Sequence, residues 1–179
     1  MTKAARFASL PMLACCLLVL SWPTSAQYQR EPLNDKEIDE LRDAAQEPAE
    51  RIKLYIVFAR DRLVSLEQMR ADPKVKDRAQ QTHDKLQNFL DVYDELNGNI
   101  DTFVERKADL RHPLKSLIEA DTEFQAKLRA LKTAADASPQ EAEKYEFLLS
   151  SAVETVDTSL QDHQQLMAEQ EVAFKHKKK

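Results

Sequence analysis

An all-α fold is predicted: an elongated antiparallel up-down four-helix bundle with coiled-coil-like packing, its first helix kinked near Pro48. Three observations predict it. The 179 residues include a single glycine, Gly98, so positive-φ turns and phosphate-cradling loops have almost no material to draw on. Apolar residues recur at alternating intervals of three and four through most of the chain. Proline appears at the breaks between these runs, where it serves as punctuation.

Residues 1–26 read as a cleavable signal peptide, with Lys3 and Arg6 as the charged start, Phe7 to Leu20 as the apolar run and Thr24-Ser25-Ala26 as the cleavage site. The apolar run is 14 residues long and contains Pro11, short of the roughly 20 a membrane-spanning helix needs. Cleavage near Ala26 implies export, to the periplasm or beyond the cell, and a mature chain with no transmembrane segment. Cys15 and Cys16 leave with the leader, so the exported chain has no disulfide, thiol nucleophile or iron–sulfur ligand.

Removing Lys3 and Arg6 leaves 24 basic and 31 acidic residues, a charge of −7 that argues against nucleic acid as a partner. Four of the positive charges sit in Lys175-His176-Lys177-Lys178-Lys179, so the body before this basic tail stands at −11. Cations at a helix end complement its dipole. Residues 27–34 form a short lead, 35–175 the helical domain and 176–179 the tail.

The first helix is expected over 35–70, capped by Asn34. Its stripe of Ile38, Leu41, Ala45, Ile52, Tyr55, Ala59, Leu66 and Met69 keeps phase across Pro48, which therefore reads as a kink or a restart on the same line. Asp72-Pro73 reads as the cap and first residue of a second helix over 73–110. Leu86, Phe89, Tyr93, Leu96, Ile100 and Phe103 give it a heptad-like rhythm with Lys107 as an intruder. Asn97-Gly98-Asn99 resembles a turn, but the phase runs through it with Gly98 on the outer face, so the helix is read as continuous.

Arg111-His112-Pro113 marks the next reversal, because one helix from Pro73 to Asp136 would be roughly 95 Å long. Leu114, Leu117, Ile118, Phe124, Leu128 and Leu131 form the inner stripe of a third helix over 113–136. Ser138-Pro139-Gln140-Glu141 has the composition of a capping box and opens a fourth over 139–175. Pairing the first two helices as a hairpin sets Pro48 and Gly98 at one height, where the hairpin would bend or hinge.

Chemistry-bearing motifs are sparse: there is no His-Glu-x-x-His, Gly-x-Ser-x-Gly, Cys-x-x-Cys-His or calcium loop, and no Glu-x-x-His pair for a di-iron bundle. No catalytic residue, cofactor or metal ligand is assigned, and no enzyme activity is expected. Leu54, Val57, Phe58 and Val64 give residues 52–66 a second apolar side. That side either packs between bundle mates or forms an interface with a second copy or another protein. His163 and Met167 share one face of the last helix, with His112 placed to approach their level, and this trio is the one haem or metal arrangement the chain offers. Asp121 and Lys107 fall at inward positions and need partners, water or a path to the bundle edge, the last being the simpler.

The sequence therefore points to an exported, non-enzymatic helical protein acting through protein–protein contacts as scaffold, adaptor or chaperone-like module. The alternative is a bundle that binds a small ligand, haem or metal through His163 and Met167.

Overall fold

The computed structural model describes residues 31–175. Among them the secondary structure is six helices and no strand: α1 (Asp35–Asp43), α2 (Pro48–Ala71), α3 (Arg78–Glu105), α4 (Arg111–Asp136), α5 (Pro139–Ala142) and α6 (Glu146–Lys175). The signal peptide, residues 27–30 of the lead and the tail 176–179 lie outside the described residues. No helix among the described residues is long and apolar enough to cross a membrane.

Asn34 caps α1 reciprocally. Its side-chain oxygen accepts from the Glu37 amide at 3.1 Å, and the Glu37 carboxylate accepts from the Asn34 amide at 2.9 Å. The reading of Pro48 as a kink on one line is corrected. In a continuous helix the Pro48 ring would collide with the Ala44 carbonyl; instead Ala44 leaves the helix at φ −88° and ψ 10°, and Pro48 opens α2 in its first turn. A straight helix would hold Glu37 and Arg62 about 37 Å apart. They meet at 2.7 Å, while Arg51 donates to the Leu41 carbonyl at 2.6 Å. The chain reverses at residues 44–47, and α1 lies back along α2. Apolar phase alone could not reveal this, because Leu41 and Ala44 are buried in either geometry.

The second helix begins later than Asp72-Pro73 implied. Asp72 closes α2 and its carboxylate accepts from the Lys74 amide at 2.9 Å, forming a turn rather than a helix cap. Asp77, at φ 49°, then leads into α3. That helix runs unbroken through Gly98, as its phase predicted, and a Cβ there would meet nothing within 4 Å. Asn97 and Asn99 become interhelical ties: Asn97 Nδ2 donates to Ser159 Oγ at 3.1 Å, and Asn99 Oδ1 accepts from Arg51 Nε at 2.6 Å. Arg51 faces Asn99, which sets Pro48 about one helical turn from the level of Gly98. With Pro48 at a helix start and Gly98 inside an intact helix, the shared bend disappears.

Lys107 does not intrude into a helix. It adopts φ 57° just beyond the end of α3, donating to the Val104 carbonyl at 2.9 Å while Ala108 donates to the Phe103 carbonyl at 3.0 Å. This is a Schellman ending with lysine where glycine is usual. The link to α4 is tied down by buried Gln170 of α6, which accepts from the Leu110 amide at 3.0 Å and donates to the Ala108 carbonyl at 3.3 Å. Pro113 sits in the first turn of α4, where its missing N–H has no helical partner to lose. Ser138-Pro139 starts only the four-residue α5, with no side-chain cap; Glu141 instead pairs with Arg70 at 2.8 Å, and the long final helix begins at Glu146.

Helices α2 and α3 form one antiparallel pair, and α4 and α6 another, joined by Gln125 and Arg129 to Asp157 and by Lys132 to Ser150. Across the pairs, like-directed helices pack together. Arg60–Glu123 at 2.9 Å and Lys127–Glu67 at 2.8 Å join α2 to α4, and α3 packs on α6. Sequential α3 and α4 meet across the core through an aromatic cluster, Phe89, Tyr93 and Phe124, with centroids 5.6 to 6.2 Å apart. The two apolar sides of α2 are thus met by α1, α3 and α4 within the chain. Phe58 is buried, Leu54 and Val64 are half-buried, and Val57 alone of that proposed interface is exposed.

Candidate functional site

The apolar rhythm places Tyr93, Asp121 and His163 inward on three helices, and the structure brings them together. Asp121 has no exposed surface, and the bundle-edge expectation for it is corrected. Tyr93 Oη donates to Asp121 Oδ1 at 2.7 Å, and His163 Nδ1 lies 2.8 Å from Asp121 Oδ2. A buried carboxylate is costly without such partners. With Tyr93 already donating to one oxygen, the proton of the second contact belongs on Nδ1, which fixes the imidazole tautomer. Burial first, and then the Asp121 carboxylate, push the Tyr93 hydroxyl far above its ordinary pKa, so it remains a donor.

Ser159, one turn before His163, accepts from Asn97 Nδ2. Next to this network a groove of about 350 Å³ opens between α3 and α6. Ile100, Val104 and Leu166 supply apolar wall; Asn97, Ser159 and His163 supply polar wall; Asp101 and Asp162 contribute carboxylates. His163 is 5% exposed, and its Nε2 has no hydrogen bond among the described residues. Asn97 Oδ1 is buried and likewise has no partner.

The His163–Met167–His112 arrangement does not assemble. Met167 packs against the core, while His112 is exposed in the first turn of α4. Asp121 is the α4 residue at the level of His163, and nine residues of helix put His112 roughly 13 Å further along. Among the described residues no three His, Cys, Asp or Glu side chains are placed to share a metal ion. Sequence reasoning flagged both Asp121 and His163 but did not pair them, since 42 positions separate them and no local spacing links them. Asn97 was missed because Asn-Gly-Asn reads first as backbone punctuation.

The chain matches no protein-family model, no curated protein and no solved structure.

Proposed function

We propose that this is an exported, non-enzymatic protein that acts through protein–protein contacts, built as a four-helix bundle of two antiparallel hairpins, α2–α3 and α4–α6, with its working face along the α3–α6 groove. One observation carries the reading. The groove offers fixed hydrogen-bonding groups, and the Ser159 hydroxyl, one turn before His163, is bonded to Asn97 and makes no hydrogen bond to the imidazole, so no activated nucleophile is paired with a base there. Such a surface is suited to holding another molecule. The small-ligand reading is favoured by the same groove, whose volume lies within the usual range for small-molecule sites. Export rests on the leader-like first 26 residues, and N-terminal sequencing of the protein from its source should begin at Gln27.

Photo-crosslinking side chains placed at Asp101 and Asp162 test the working face, with Lys115, an exposed residue of α4, as control. A single protein adduct at 101 and 162 and none at 115 is the expected result. Equal adducts at all three positions, or none, reject the groove as a contact face.

A further inference from the structure

The polar groups lining the groove have an unusual balance. Asn97 Nδ2 donates to Ser159, and His163 Nδ1 is engaged with Asp121. What remains for an incoming molecule is led by acceptors, Asn97 Oδ1 and the carboxylates of Asp101 and Asp162, with His163 Nε2 beside them. The occupant must therefore bring donors, and two carboxylates at the opening favour a positive one. Ile100, Val104 and Leu166 line the same groove and suit a short hydrocarbon stem.

We propose that the α3–α6 groove binds a primary ammonium group on an aliphatic stem, the head lying among Asn97, His163 and the carboxylates and the stem against Ile100, Val104 and Leu166. A free diamine and a lysine side chain share this chemistry. Asp121 acts as a positioning residue, since its contact with Nδ1 fixes the orientation of the His163 ring in the groove wall. The inference rests on reading the groove as the binding face, and its failure is distinguishable: crosslinks at positions 101 and 162 can persist in a protein that ignores amines.

The test is an NMR titration of the intact protein with cadaverine, with a blocked tripeptide containing one lysine, and with 1-pentanol as neutral control. Both amines, or either one, should shift His163 Nε2 and the backbone resonances of 97–104 and 159–166. Pentanol should bind about tenfold more weakly or worse, because hydrogen bonds to charged groups exceed neutral ones by that order. Tighter binding of cadaverine assigns a free amine; tighter binding of the peptide assigns a partner's lysine. Asp101→Asn with Asp162→Asn should weaken the amines roughly threefold to tenfold and leave pentanol unchanged. No shift with either amine, shifts confined to other surfaces, or pentanol binding as tightly as the amines overturns the proposal.

Discussion

Glu37 and Arg62, 25 positions apart, face each other at 2.7 Å through two guanidinium nitrogens, and this pair straps α1 back along α2. Burial pushes the Glu37 carboxyl up, but hydrogen bonds from Arg62 and from the Asn34 amide outweigh it, and its pKa lies below the ordinary glutamate value. A depressed folded-state pKa means that the stabilisation is complete above the unfolded value and is lost as pH falls through the folded one. The protection factors of α1 amides, exchange rates taken relative to the intrinsic rate at each pH, should therefore fall on acidification through the carboxylate range more than those of α3. Glu37→Gln should lower that protection at neutral pH and abolish its acid dependence; an α1 equally protected in both proteins removes the strap.

The buried contact between Asp121 and His163 gives a larger effect. Asp121→Ala removes the buried acceptor shared by the Tyr93 hydroxyl and His163 Nδ1. Urea unfolding should show a loss of about 3 kcal/mol, the upper end of the cost of leaving buried hydrogen-bonding groups unpaired. A double-mutant cycle with His163→Ala should return a coupling of at least about 1 kcal/mol. Additive losses would mean that the two side chains do not interact.

Much of the helix content was legible in the sequence because burial stripes are set by helical period. The breaks were legible only in part, because proline and aspartate state that a helix is interrupted without stating the direction the chain then takes. At Pro48 the stripe is equally consistent with a straight restart and with a reversal. The 2.7 Å pairing of Arg62 with Glu37 decides between them, and it depends on tertiary distance. Asp72-Pro73 and Ser138-Pro139 have the right composition for caps, yet Asp72 serves a turn and Glu141 is drawn away to Arg70. The site was half legible. Inward phase singled out Asp121 and His163, whereas their joining through Tyr93 depends on how three helices are arranged around the core.

Gly98 and Lys107 form an inverted pair. Glycine occupies a helix interior, where a Cβ would meet nothing within 4 Å, while lysine occupies a left-handed position at φ 57°. Gly98→Ala should raise stability by about 1 kcal/mol through helix propensity. Lys107→Gly should raise it by roughly 1 kcal/mol by relieving the left-handed strain. Their sites are separate, and thermal melts should show the two gains adding in the double variant. A destabilised Gly98→Ala protein would mean that the helix does not continue through residue 98.

Val57 and Phe58, adjacent on α2, separate surface from core on the second apolar side of that helix. Val57 is 40% exposed and Phe58 is 4% exposed, so one helical step of about 100° divides them. Phe58→Ala removes a ring packed within the chain and should cost about 3–5 kcal/mol in urea unfolding, whatever the protein concentration. Val57→Asp leaves the core intact and should change stability by less than about 0.5 kcal/mol. If Leu54, Val57, Phe58 and Val64 instead joined two copies, Val57→Asp would lower the mass measured by light scattering, and Phe58→Ala would lose stability in a concentration-dependent way. An unchanged mass in Val57→Asp together with a concentration-independent loss in Phe58→Ala assigns this side of α2 to intramolecular packing.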